Sequence, residues 1–201
     1  MKEELIISGR NNPGIDPTLH VWGWEIPLYL FLGGLAAGIL FFAALYTIRG
    51  KQNEYPAAVK WAPLITPILL TIGLLSLFID LRHKLFFWQL YTTFKIQSPM
   101  SWGAWTLMAV TPLSIIWSAT WMKELFPLFN WKNKFIKLFF KFVFVPVNDN
   151  ETRNWEWKYK WLVFLENFFI KKRKGTAWTM LVFSVLLGIY TGILLSAFNA
   201  R

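Results

Sequence analysis

A chain of 201 residues that is 55% hydrophobic and 19% aromatic, with 13 Trp, carries more apolar surface than a soluble domain of that size can hide. It contains no cysteine, which excludes a disulfide framework, a thiolate zinc site and a Cys-ligated iron–sulfur cluster. The formal charge of +10 sits on residues that flank apolar segments, and no nucleic-acid motif accompanies it, so basic loops of a membrane protein account for the charge and nucleic acid is not an expected partner.

Residues 1–20 carry Glu3, Glu4, Arg10, Pro13, Asp16 and Pro17 without a long apolar run, and read as a polar arm rather than a signal peptide. A first span follows at 26–48, long enough to cross a hydrocarbon core of about 30 Å as a helix. Pro27 suits its first turn, and Gly33, Gly34, Ala36, Ala37 and Gly38 allow another helix to come close. A short loop holding Arg49, Lys51 and Lys60 leads to a second span at 62–81, in which Pro67 is expected to introduce a kink.

The second span ends on Asp80-Leu81-Arg82-His83-Lys84. An aromatic connection then runs to Gln97, at the level where Trp, Tyr and Phe favour the headgroups. Ser98-Pro99-Met100-Ser101 reads as a turn and N-cap opening a third span at 102–121. Residues 122–175 form a basic loop. Within it, Lys134, Lys137 and Lys141 oppose Phe135, Leu138, Phe139 and Phe142 at helical spacing, the pattern of an interfacial amphipathic helix. Residues 155–170 form a second aromatic, partly amphipathic stretch, closed by Lys171-Lys172-Arg173-Lys174 beside the membrane. A fourth span covers 177–198. The fold class expected is all-α: one membrane domain over 1–201, a four-transmembrane-helix bundle with interfacial amphipathic helices in the cytoplasmic loop.

Lys and Arg number 15 in the 49–60 and 122–175 loops and 6 on the other side. The positive-inside rule then places both termini, and the connection after Asp80, outside the cytoplasm. This topology gathers His20, Glu25, Asp80 and His83 near the outer leaflet, with Tyr190 roughly 12 Å below it at 1.5 Å rise per residue. A phenol, imidazoles and carboxylates at that depth suit hydrogen bonding to a quinone head group, with Asp80 and Glu25 as candidates for proton exchange. Plainer readings stand beside this one: Asp80 and Arg82 as a boundary ion pair, His83 wetting its ring among headgroups, Tyr190 as a packed aromatic. His20 and His83 lie at the edge rather than facing each other within spans, so neither haem nor any other metal is expected in this chain. Few charges lie deep in the spans, which disfavours a transporter or channel half.

Three stretches resemble the NrfD/PsrC family, the quinol-interacting membrane subunits of polysulfide, tetrathionate and nitrite reductases. They are Trp22-Gly23-Trp24-Glu25 with Leu28-Tyr29-Leu30-Phe31-Leu32-Gly33-Gly34; Asp80-Leu81 with Phe87-Trp88 and then Ser98-Pro99-Met100-Ser101-Trp102-Gly103; and Gly188-Ile189-Tyr190-Thr191-Gly192. The resemblance implies a subunit without redox metal that binds menaquinol or ubiquinol near the outer face. It implies an iron–sulfur ferredoxin-like partner, with a molybdopterin catalytic subunit beyond. Tyr190 matches the family's pocket tyrosine, and Tyr29 stands where the family uses a histidine. Members carry eight or more spans, so the chain is expected to be an N-terminal half completed by a C-terminal half or second membrane subunit. The competing expectation is a structural membrane anchor with no quinone site of its own.

Overall fold

The computed structural model describes residues 23–81, 84–92, 99–127, 143–146 and 155–199. Among them, helix α1 spans Glu25–Ile48 and α2 spans Ala62–Asp80, entered through a π-helical turn at Ala57–Trp61. A 3₁₀ turn at Lys84–Phe86 and the short helix α3 (Gln89–Thr92) lead to α4 (Pro99–Leu125). Strands β1 (Phe144–Pro146) and β2 (Trp155–Trp157) precede α5 (Lys160–Lys171) and α6 (Arg173–Asn199).

The four long helices close into a ring in which α1 packs on α6 and α2, and α4 packs on the same two. Ser76 near the end of α2 reaches Glu25 at the start of α1, and Trp117 late in α4 reaches Val59 before α2, so successive helices run antiparallel. Small residues make the ring tight. Ala36, Ala43 and Ala44 of α1 are wholly buried, which lets the backbones approach as small-residue faces do in membranes. The helices coincide with the four expected spans but overshoot two of them, since α4 runs through the predicted 102–121 segment at both ends and α6 starts before residue 177. Among the described residues, three segments are long and apolar enough to cross a membrane: Glu25–Ile48, Ala57–Asp80 and Arg173–Ser196. Trp, Ser, Thr and Pro residues keep α4 below that mark.

The prolines of α2 shape its contact with α4. Proline has no N–H, so Pro63 and Pro67 cannot bond the carbonyls four residues earlier. Those carbonyls belong to Val59 and Pro63, and α4 supplies donors to both: Trp117 Nε1 to Val59 O at 3.2 Å and Ser118 Oγ to Pro63 O at 2.9 Å. Two defects in one helix thus become two cross-helix hydrogen bonds.

The basic loop departs from expectation where it is described. Trp155–Trp157 is a strand and not part of an amphipathic helix. The Trp-Glu-Trp alternation has the period of a strand, and Phe144 and Trp157 face each other in an antiparallel pair. The rings of Phe144, Trp155 and Trp157 pack with centroids 4.7 to 5.7 Å apart. In α5, Glu166 turns inward while Trp161, Phe164 and Phe168 stay exposed. The expected amphipathic helix around Lys134–Phe142 lies outside the described residues.

Candidate functional site

The first family-like stretch, the Gly103 region and the Tyr190 stretch meet at the Asp80 end of the bundle. Tyr29 lies one turn into α1 and is 2% exposed. Its ring rests against Gly73 of α2, where a Cβ would meet Tyr29 Cδ2 at 3.5 Å. Tyr190 of α6 is 7% exposed and lies flat on Gly103 of α4. A Cβ at Gly103 would stand 1.9 Å from Tyr190 Cζ, so only glycine admits the ring there. Thr191, next in α6, brings its methyl within 3.4 Å of the Cβ position of Gly33. Glycines on α2 and α4 thus make room for two phenols, and a third on α1 makes room for the Thr191 methyl.

The Tyr29 and Tyr190 hydroxyls are neighbours, and Tyr91 of α3 approaches Tyr29 from the connecting segment. The two hydroxyls are near enough to interact, yet Tyr29 Oη is buried and makes no hydrogen bond of sound geometry to Tyr190 or to any other described atom. An unmet buried hydroxyl costs about 1–3 kcal/mol, so it marks a place where an acceptor or donor is wanted. Burial pushes the Tyr91 phenol above its ordinary value.

Glu25 opens α1, where a carboxylate is favoured by the helix dipole, one turn above Tyr29 on the same helical face. Its backbone carbonyl accepts a hydrogen bond from Ser76 Oγ at 3.0 Å, which fastens the first turn of α1 to α2. Asp80 is the last residue of α2, one turn beyond Ser76, and is exposed. It stands on the rim of the tyrosine cluster rather than in it. His20 and His83 lie outside the described residues. Among the described residues, no three His, Cys, Asp or Glu side chains gather as a metal-ligand group.

Beside Tyr91 is an apolar cleft of about 260 Å³ between the C-terminal half of α2 and the aromatic connection. Leu74, Phe78, Leu81 and Phe87 line it, and Phe78 meets Phe87 edge to face at 5.9 Å. Thr71 also lines it, but its hydroxyl is engaged with Pro67 O at 2.7 Å. Tyr29 and Tyr190 do not line this cleft, whereas Tyr91 lines it and is near enough to Tyr29 to act on it electrostatically.

Sequence reasoning singles out Tyr29, Tyr190 and Glu25 but misses Tyr91, Gly73 and the role of Gly103. Tyr91 is one of many rings in an aromatic connection. The signal for Gly103 is its place two residues after the Ser-Pro-Met-Ser turn, which reads as helix initiation and not as a seat for a ring.

The family model described as "Polysulphide reductase, NrfD" matches residues 12–201. The chain belongs to this family. Among curated relatives, it is 36% identical over 98 residues to the C subunit of polysulfide reductase from Wolinella succinogenes, across 48% of this chain and 31% of that subunit. It is 27% identical over 187 residues to protein NrfD of Escherichia coli, covering 90% of this chain and 50% of the relative. A protein NrfD homolog of Haemophilus influenzae is 26% identical over 114 residues, 56% of this chain and 35% of its own length. The chain therefore spans half or less of the relatives it matches.

Proposed function

We propose that this NrfD-family chain is part of a membrane subunit that exchanges electrons between the quinone pool and an iron–sulfur partner of a respiratory oxidoreductase. The observation that carries the reading is the buried, unpartnered Tyr29 hydroxyl facing Tyr190, in family-like motifs brought together from α1, α4 and α6. Tyr29 Oη donates to a carbonyl of the quinone head group, and Tyr190 holds the opposite side of the ring. The cleft beside Tyr91 receives the isoprenoid tail. A bound quinol supplies two electrons and two protons. Glu25 lies one turn above Tyr29 and takes up protons, and Asp80 passes them to solvent at the rim. The iron–sulfur subunit docks over the Asp80 end, with a molybdopterin catalytic subunit beyond it.

On this reading α4 is a fourth span, because it packs along helices that are themselves apolar enough to cross. The Asp80 end faces away from the cytoplasm, and both ends of the chain lie there. A further membrane segment, a C-terminal half or second subunit, supplies the other wall of the pocket.

The test is quinol oxidation by the chain assembled with its copurifying subunits, in wild type and in Tyr29→Phe, Tyr190→Phe and Asp80→Asn. The tyrosine variants are expected to lose at least tenfold in turnover while assembly persists, and Asp80→Asn to slow turnover less. Intact electron transfer and intact assembly in all three would instead make the chain a structural anchor.

A further inference from the structure

The opposite end of the bundle holds a second cavity, of about 550 Å³, between the α1–α2 loop and the α5–α6 junction. Lys171, Lys172, Arg173 and Lys174 all line it, and among the described residues no acidic side chain does. The nearby acids are engaged: Glu54 pairs with Lys51 at 3.1 Å and Glu124 pairs with Lys60. Four cations around one hollow repel one another where the membrane boundary lowers the dielectric constant, and an anion relieves that repulsion.

Arg173 adds a second, independent sign. Its guanidinium stacks on the Trp121 ring at 3.8 Å, which fixes its plane, and its Nε is buried without a hydrogen-bond partner. A guanidinium held this way presents directional donors suited to a phosphate oxygen. Gly50 and Gly175 have open space where a side chain would stand, so the hollow is roomy at the backbone.

We propose that this cavity binds the phosphate of an anionic phospholipid headgroup. The surroundings favour a lipid over free phosphate. The cavity lies where α1 ends and α6 begins, both long and apolar enough to span, which sets it at headgroup level. Exposed Ile170 lines it and exposed Phe168 lies against Lys172 at its edge, and both offer apolar surface for acyl chains that inorganic phosphate has no use for. Arg173 receives the phosphate, and the three lysines hold it by charge, with Lys172 steadied over Phe168 at 5.0 Å.

The test titrates the full chain, with whatever subunits copurify, in neutral detergent with dioleoyl phosphatidylglycerol or dioleoyl phosphatidylcholine, and reads bound lipid by native mass spectrometry. Each lysine near an anionic headgroup contributes about fivefold in affinity, so Lys171→Gln/Lys172→Gln/Lys174→Gln is expected to bind phosphatidylglycerol on the order of 100-fold more weakly. A charge-matched control, Lys84→Gln/Lys158→Gln/Lys160→Gln, is expected to bind it as wild type does. Phosphatidylglycerol should also raise the melting temperature of wild type more than phosphatidylcholine does. Equal loss in the control, no preference between the two lipids, or displacement of bound lipid by millimolar inorganic phosphate would overturn the proposal.

Discussion

The two ends of the bundle are held together by different chemistry. At the Asp80 end, glycines make room for aromatic rings, and a side-chain hydrogen bond from Ser76 to Glu25 O joins α1 to α2. At the Arg173 end, charge does the joining: Lys60 pairs with Glu124, Lys123 pairs with Glu166, and Trp157 Nε1 donates to Glu166 Oε2 at 3.0 Å. The first end keeps one buried hydroxyl unmatched; the second sets charge opposite charge and still leaves Arg173 Nε without a partner. Close packing on small residues joins helices at one end, and paired charges join them at the other.

The sharpest break of this contrast is Lys123→Ala. Glu166 is 5% exposed, so losing its cation strands a buried carboxylate, at a cost of about 3–5 kcal/mol by detergent-phase unfolding. Lys123→Met with Glu166→Leu should cost far less than the two single changes summed, and a simple sum would show the pair to be uncoupled. At the other end, Gly103→Ala drives a methyl into the Tyr190 ring. It is expected to cost about 1–3 kcal/mol and to abolish quinone-dependent stabilisation.

Tyr29→Phe should separate stability from binding. Removing the unpartnered hydroxyl is expected to leave the quinone-free protein as stable as wild type or more stable by about 1 kcal/mol, while a quinone analogue no longer raises the melting temperature. A loss of stability without quinone would mean that the hydroxyl has a partner within the fold. The smallest effect concerns Tyr91. Its phenol is raised by burial, so the folded protein keeps it protonated after an unfolded chain would release the proton. The unfolded chain therefore gains a relative advantage as pH rises past about 10, and the loss levels off above the folded value. Difference titration of tyrosinate absorbance, wild type minus Tyr91→Phe, should show this group ionising later than a free phenol.

Much of this architecture is legible in the sequence because apolar length and loop charge are properties of whole segments. The long helices fall where the apolar runs fall, and Tyr29, Glu25 and Tyr190 can be named from their motifs. What escapes depends on single contacts between distant segments. Nothing local in the run around Gly73 distinguishes a glycine that seats a ring from one that merely packs. The strand at Trp155–Trp157 is hidden because three residues are too few for a period to declare itself against the neighbouring helix. Asp80 stands out by its charge, yet helix α2 carries it to an exposed edge, and only the register between Ser76 and Glu25 reveals that.

The hydrogen bonds from Trp117 and Ser118 also limit how the bundle can move. Their acceptors are Val59 O just before α2 and Pro63 O in its first turn, so sliding α4 by a fraction of a helical turn would bare both carbonyls at once. In hydrocarbon each bare carbonyl costs several kcal/mol. A short piston stroke between these two helices is therefore costly to the protein.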